Sequence, residues 1–269
     1  MKTEIITART NPKIQFAASL KDKKNRKEQG MFYFEGRKLF LEAIKNDVPL
    51  SMVYATEENL DFVSGHLADK CPLYGVSVGV YDKLTEEKAP EGIFCLAKTI
   101  DKYHNFDTIY IPIKNNRQTK QPRMLLCSLR DPGNLGTIIR SGAAFGCTEL
   151  ILSEDCADIY NSKTVRASMG MLFRTKITVV KDPISAIKCL QNAGQTVYAA
   201  ALHHNSLSLF DLKNAADCCF VIGNEGHGLD EEVIDACDGS VIIPMMEGTE
   251  SLNASIAASV LLYEQFRTL

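Results

Sequence analysis

VIGNEGHGL, from Val221 to Leu229, and IIPMMEGTESLNASIAASVLLYE, from Ile242 to Glu264, settle the fold class of this chain. Each runs from apolar, largely β-branched residues into a loop rich in glycine or serine, and each loop feeds a stretch of helical character. A strand that ends in a loop of small residues presents backbone N–H and C=O groups at its carboxyl end. In α/β proteins that is where small ligands bind. Two such loops close together in sequence predict one ligand held largely by backbone.

Around these segments, apolar runs of strand length alternate with helical stretches. Strands are predicted at Met124–Leu129, Glu149–Leu152, Lys176–Val180, Thr196–Ala200, Cys218–Ile222 and Ser240–Ile243. Helices are predicted at Leu135–Phe145, Pro183–Ala193, Asp230–Ala236 and Ala254–Phe266. This alternation implies an α/β domain with a mostly parallel, buried sheet. The last helix is apolar nearly all round (Ile256, Ala257, Ala258, Val260, Leu261, Leu262), which predicts burial on several faces or in a subunit interface. Upstream, residues 1–99 read as a smaller α/β domain. Its strands are predicted at Met31–Glu35 and Leu50–Ala55 and its helices at Gly36–Asn46 and Glu57–Ala68, with short apolar runs following at Leu73–Val76 and Gly92–Ala97. The polar, proline-bearing run KNNRQTKQPR marks residues 100–122 as a linker to a domain at 123–269, with room for a short strand at Thr108–Ile113.

Apolar residues make up 45% and charged residues 23% of the 269, an ordinary globular balance. No run approaches the roughly 20 apolar residues of a membrane span, and the opening MKTEIITARTNPKIQF lacks the apolar centre of a secretory signal. The nine cysteines include no C-x-x-C pair, and several lie in apolar runs (Cys127, Cys218, Cys219). They read as small core residues in a reducing cytoplasm. The five histidines do not alternate with cysteines at ligand spacing, so no metal is expected. Net charge is −3, unevenly spread: residues 1–38 hold ten Lys/Arg against four Asp/Glu, leaving −9 on the remainder. A basic end on an acidic body fits a polyanion partner, or simply a solvated helix face.

Three segments carry candidate chemistry. In LRDPGNLGTIIRSGAAFG, Leu129 to Gly146, Pro132 and Gly133 make a turn and Asn134 reads as the N-cap of the next helix. Arg140 in that apolar helix either faces solvent or is aimed at a phosphate or a developing oxyanion. In GNEGHG, Glu225 is either a site carboxylate or an anion near a helix start, and His227 is either a general base or an exposed loop residue. This loop has neither the G-x-G-x-x-G dinucleotide spacing nor a P-loop lysine. In MEGTESLN, Ser251 or Asn253 caps the last helix, with Glu250 near its positive end.

Taken together, NLGTIIRSGAAFG, VIGNEGHGL and IPMMEGTESLNASIAASVLLYE resemble, in order and spacing, the three motifs of the SpoU/TrmH class of the SPOUT RNA methyltransferase superfamily. TVRASMGMLFR, Thr164 to Arg174, resembles a stretch typical of its ribosomal RNA members. The resemblance is close over residues 123–269 and looser over the N-terminal block, which is similar to the family's substrate-binding domain. It implies a C-terminal domain with a mostly parallel sheet, helices on both faces and a trefoil knot, a topology that general rules of chain connection would not predict. It implies S-adenosylmethionine bound by backbone near Gly223, Ile243 and Leu252, with Asn224 and Gly226 in the same loop and Ala200, Ala201 and Leu202 lining the adenine side. Arg140, Asn134, Glu225, Ser251 and Asn253 would be the catalytic positions, in a cytoplasmic homodimer that methylates the ribose 2′-hydroxyl of ribosomal RNA, 23S-type foremost. The family's usual proposal makes Arg140 the base; a guanidinium stays protonated, which favours a phosphate-positioning and alkoxide-stabilising role. One departure is CSLRDPGN, where relatives often carry an Asp-Gly pair ahead of DPGN.

Competing readings are a transfer RNA 2′-O-methyltransferase, a non-catalytic RNA-binding ribosome assembly factor, and a nucleotide-linked oxidoreductase. The missing dinucleotide fingerprint argues against the last.

Overall fold

The computed structural model describes residues 5–68, 71–100, 104–105, 122–147, 149–203, 205–249 and 251–269. Most of the expected linker, the strand expected at Thr108–Ile113, and Glu250 lie outside the described residues. The chain forms two compact units: residues 1–100 with 160–173, and residues 101–159 with 174–269.

The first unit is built on a five-stranded sheet. Its elements are β1 (Ile5–Ile6), α1 (Pro12–Ser19), α2 (Lys23–Gln29), β2 (Met31–Glu35), α3 (Arg37–Lys45), β3 (Leu50–Thr56), α4 (Leu60–Ser64), β4 (Leu73–Val76), α5 (Val78–Leu84) and β5 (Ile93–Lys98). The strand order is β1-β4-β3-β5-β2, with β5 antiparallel to both its neighbours. Ile14 and Ala17 of α1 and Val80, Tyr81 and Leu84 of α5 pack with Tyr33, Tyr54, Phe94 and Leu96 of the sheet.

The basic N-terminal stretch, which the sequence presents only as charge, folds into α1 and α2. Asn11 and Asp22 cap the two helices, and Gly30, at φ 60°, closes the second. Part of its charge is directed inward. The Arg26 guanidinium is buried and donates to the carbonyls of Leu20 and Lys21, while Lys21 Nζ donates to those of Lys83 and Thr85. The helix expected at Glu57–Ala68 instead begins as a 3₁₀ turn, Glu57–Asn59, and ends at Ser64. Buried Asn59 explains the break. Its amide donates to Thr56 Oγ1 and the Glu91 carbonyl and accepts from Arg37.

The second unit carries a sheet of eight parallel strands. They are β6 (His104–Asn105), β7 (Arg123–Leu126), β8 (Glu149–Ser153), β9 (Lys176–Val180), β10 (Thr196–Ala200), β11 (Leu207–Ser208), β12 (Cys218–Ile222) and β13 (Gly239–Ile242). The order is β11-β13-β10-β12-β7-β8-β9-β6. Its helices are α6 (Pro132–Ala144), α8 (Pro183–Asn192), α9 (Glu231–Ala236) and α10 (Ala254–Arg267). Val233 of α9 and Ala186, Ile187 and Leu190 of α8 pack with Leu125, Ile151, Val197, Cys219 and Val221 on one face. α6 lies on the other, because Gly142 approaches Leu150, the neighbour of Ile151 on a strand whose side chains alternate. α10 pairs with α6 through Ser259 Oγ, which donates to Ser141 Oγ at 2.8 Å. β12 is buried at all five positions, as a central parallel strand should be. It is inserted between β10 and β7, both earlier in the chain.

One segment differs from the expected domain division. Residues 160–173 include α7 (Ser162–Ala167) and all but the last residue of the TVRASMGMLFR stretch; the sequence reading places them in a domain at 123–269, but they pack with the first unit. The Tyr160 ring lies 4.5 Å from that of Phe32, tilted by 35°, and Phe173 lies 5.2 Å from Phe34. Ser162 donates to Glu86 and Arg166 pairs with Glu87. Gly170 (φ 86°) lies so close to Glu42 that a Cβ would meet it at 2.6 Å.

Candidate active site

Three loops leave the carboxyl ends of β10, β12 and β13, which are adjacent and in register: Ala199 pairs with Val221 and Ala200 with Val241. β7 lies on the other side of β12, pairing Leu126 with Ile222, so a fourth loop, the Cys127–Asp131 turn, emerges beside them. The segments at Ala200–Leu202, Gly223–Gly228 and Ile243–Asn253 therefore open on one end of the sheet, where α/β proteins bind ligands.

The start of α6 differs from expectation in a way that matters chemically. Asp131, not Asn134, is the N-cap. Its Oδ1 accepts from Asn134 N at 2.7 Å, with Pro132 at the first helical position. Asn134 lies one turn in, and its side chain is left for long-range contacts. Asn134 Nδ2 donates to Glu225 Oε1 (3.0 Å), and Asn134 Oδ1 accepts from Asn253 Nδ2 (3.0 Å). Glu225 also accepts from the backbone N–H groups of Asp131 (3.2 Å) and Arg130 (3.4 Å).

The direction of this relay follows from its far end. Asn253 caps α10, and its Oδ1 accepts from Ser255 N, Ile256 N and Ser255 Oγ. Its amide nitrogen must then point at Asn134, whose own nitrogen must point at a carboxylate. Partial burial of Glu225 opposes its charged form. The donors from Asn134 and from the backbone of Glu225, Asp131 and Arg130 outweigh that and hold its carboxyl below the ordinary range. Glu225 is thus an ionised anchor and a weak base. The relay joins the first turn of α6 to the loops after β12 and β13, through pairs 91 and 119 residues apart in sequence.

Two expected site residues stand outside it. Arg140 is exposed on α6, roughly 240° round the helix from Asn134, with no partner among the described residues. Ser251 is also exposed, and capping of α10 falls to Asn253 alone.

The loop after β12 closes on itself. Asn224 N donates to the Gly228 carbonyl (2.8 Å) and Gly228 N donates back to the Asn224 carbonyl (3.0 Å). A Cβ on Gly223 would sit 2.3 Å from the Gly228 carbonyl, so only glycine fits. Asn224 works inside the loop rather than towards a ligand: its Oδ1 accepts from Gly226 N and its Nδ2 donates to the Ser128 carbonyl. Gly226 N–H is likewise taken. At the β10 end, Ser206 Oγ donates to the Ala201 carbonyl, and its contact with Ser240 Oγ (2.7 Å) pins this turn to β13. Leu202 and Met246 are 88% and 85% exposed, and Ile243 and Leu252 are half-buried. Apolar side chains beside backbone loops, with Gly223 flush against its own loop, fit the flat adenine ring of S-adenosylmethionine.

A second group, around Ser128, carries no signal in the sequence. Asp155 accepts from Ser128 Oγ and Ser153 Oγ, both at 2.5 Å, and Arg130 Nη2 lies 3.8 Å away. Burial opposes the charge on Asp155, but these hydroxyls, with Arg130 behind them, hold its carboxyl below the ordinary range. Ser128 adopts φ 54°. It follows Cys127 at the place where relatives often carry Asp-Gly, and that backbone conformation explains why glycine suits the second position. A cleft of about 660 Å³ opens here, lined by Cys127, Ser128, Arg130, Asp155, His227 and Val233 among others. Sequence offers only the DPGN signature as a pointer to Asp131, because Asp-Pro is a common helix start.

Comparison with known proteins agrees with this geometry. The SpoU rRNA Methylase family matches residues 121–263, and the MRM3-like substrate binding domain matches residues 11–95. The chain is 27% identical over 258 residues to the 23S rRNA (guanosine(2553)-2′-O)-methyltransferase RlmP of Bacillus subtilis, covering 96% of this chain and 97% of that one. It is 29% identical over 308 residues to the human mitochondrial rRNA methyltransferase 3, covering 93% and 70%. The crystal structure of an AdoMet-bound rRNA methyltransferase from Sinorhizobium meliloti superposes with a TM-score of 0.84 at 26% identity, covering 100% and 99%.

Proposed function

Because the chain belongs to the SpoU rRNA methylase family, we propose that it methylates the ribose 2′-hydroxyl of ribosomal RNA, with S-adenosylmethionine as donor. One observation carries this reading: the Glu225–Asn134–Asn253 relay ties the loops after β12 and β13 to the start of α6 at the carboxyl end of the sheet. The near full-length match to a 23S rRNA enzyme favours that RNA over transfer RNA. The same relay supports an enzyme over a non-catalytic assembly factor, which would not need it.

The donor, when bound, supplies an electrophilic methyl group on a sulfonium. The segments Ala200–Leu202, Gly223–Gly228 and Ile243–Leu252 would hold it, mainly through backbone and apolar contact. Glu225, fixed and ionised, locks Asn134 and the Asp131 turn against α10. This keeps the reacting ends in line, where orientation contributes most of the rate. Attack of the 2′-oxygen on the donor methyl would break its bond to sulfur, leave the neutral thioether S-adenosylhomocysteine, and release the hydroxyl proton. Arg140 cannot accept that proton, since a guanidinium stays protonated in proteins. Free of any described partner, it is suited to holding the neighbouring phosphate and stabilising the growing negative charge on the sugar oxygen. The proton leaves to water or phosphate.

Further parts of the reading concern assembly and setting. Ile256, Tyr263 and Phe266 of α10 are half exposed, which supports a homodimer through this face. The insertion of β12 between two earlier strands is compatible with a trefoil knot. Among the described residues no helix is long and apolar enough to cross a membrane. The RNA substrate sets the place of action, which in this reading is the cytoplasm.

The test is methylation of an unmodified 23S rRNA transcript by the purified protein and S-adenosylmethionine, with 2′-O-methyl mapping at nucleotide resolution. One site that disappears with Arg140→Ala supports the reading. Donor binding without methylation of any ribose would favour the assembly factor.

A further inference from the structure

The cleft beside the Cys127–Arg130 turn shares Asn224, His227 and Gly228 with the loop after β12, contains none of the three relay side chains, and adjoins the relay. Arg130 contributes its backbone N–H to Glu225 and its side chain to the cleft rim. Asn224 contributes its amide to the Ser128 carbonyl from the opposite wall. The two walls are thus fixed to each other by the groups that fix the relay. Cys127, Val233, Leu229 and Pro183 supply an apolar lining; Ser128, Arg130, Asp155, His227 and Asp230 supply polar groups. At about 660 Å³ the space falls within the roughly 300–1,000 Å³ typical of pockets for small planar ligands.

We propose that this cleft is a nucleotide subsite for the substrate RNA, taking an unstacked base next to the methylated ribose, its N–H edge towards Asp155 and Asp230 and its phosphate on Arg130. The proposal rests on the methyltransferase reading and extends it to substrate selection. An apolar wall receives the faces of a base, and single-stranded RNA is read by splaying bases into such places. Asp155 is locked by two serine hydroxyls, and Asp230 makes no side-chain capping bond with α9. Two carboxylates offer only acceptors, so the complementary edge must donate. Guanine, with adjacent N1–H and N2–H groups, matches a carboxylate best. Arg130, whose side chain is 71% exposed and steered by Asp155, is the one permanent cation among the described residues of the cleft wall.

The test uses the full-length protein, S-adenosylmethionine and the unmodified 23S rRNA transcript. Arg130→Ala removes an exposed side chain, so folding is not at issue; Val233→Trp fills the cleft from a buried position without removing a polar group, and is read only where its Tm matches wild type. Each should raise KM for RNA about tenfold, within the range of a lost base or phosphate contact. The single-turnover rate at saturating RNA and the calorimetric Kd for the donor should stay within about threefold. Arg130→Ala should also lower the slope of log affinity against log salt by about one. An unchanged KM in both variants overturns the subsite and leaves the methyltransferase reading intact. Should Val233→Trp lose donor binding, Arg130→Ala alone decides. A wild-type protein that binds the donor but methylates no ribose overturns the reading and the subsite together.

Discussion

Replacing Asn134 with alanine tests the relay directly. The substitution removes the donor to Glu225 Oε1 and the acceptor for Asn253 Nδ2, each at 3.0 Å. A bond to an ionised acceptor contributes about 1.5–3 kcal/mol, and a neutral one about 0.5–1.5. Both lie at the surface, so the low ends apply, and the loss should be about 2 kcal/mol. In a unit of this size that lowers Tm by about 4–8 °C. The effect on rate should be larger than the effect on stability. Without Asn134, the Glu225 loop keeps only its bonds from the Arg130 and Asp131 backbone and the α10 cap loses its tie to Asn134, and a displacement of order 1 Å costs about 100-fold. Single-turnover methylation of the 23S transcript, run beside a thermal melt and donor calorimetry, separates the two. A variant with a lowered Tm but a rate within twofold of wild type would refute the relay as a positioning device. Asn134→Asp should be worse than alanine in every readout, because it sets a like charge beside Glu225.

Arg140→Ala should leave Tm and donor affinity unchanged, since the side chain is exposed and without a described partner, while single-turnover methylation falls about 100-fold or more. Gly223→Ala would press a Cβ to 2.3 Å from the Gly228 carbonyl; a loss of about 1–3 kcal/mol or more and weakened donor binding should appear together in melting and calorimetry. Asp131→Ala removes the α6 cap and should cost about 1 kcal/mol in chemical denaturation. The folded-state pKa of Glu225 lies below its ordinary 4.5, so its contribution is complete above that value and is lost as pH falls through the folded pKa. The stability gap between wild type and Asn134→Ala should therefore narrow on acidification, which urea titrations at stepped pH would follow.

The alternation of strands and helices in the second unit is legible because a parallel sheet imposes it. β9, β10 and β12 fall at Lys176–Val180, Thr196–Ala200 and Cys218–Ile222, as the apolar runs predict. α1 and α2 are not legible as helices: they are short, mostly charged, and held by caps and by carbonyl contacts from Arg26 and Lys21 rather than by a long apolar face. The segment 160–173 carries no helix expectation in the sequence, and nothing in its own pattern says which sheet it joins. That depends on Phe32, Phe34 and Glu87, far away in sequence. At the site, the residue types are recognisable and their partners are not. Asn134 is a good cap by propensity, yet Asp131–Pro132 takes that role and leaves Asn134 free for Glu225. Asp155 gives no signal because its partners Ser128 and Arg130 lie on the neighbouring strand's loop.

The position of β12 has a consequence for how this protein comes to exist. A sheet whose strands follow chain order pairs each new strand with an earlier one at an edge, but here β7 and β10 share no ladder and are joined only through β12. Only when Cys218–Ile222 is in place does the sheet become continuous. Glu225 follows three residues later on the same segment, so the carboxylate that organises the loops arrives with the strand that joins the two halves. An incompletely folded molecule thus has neither a whole sheet nor a working centre, and the appearance of activity during refolding would mark the moment of closure.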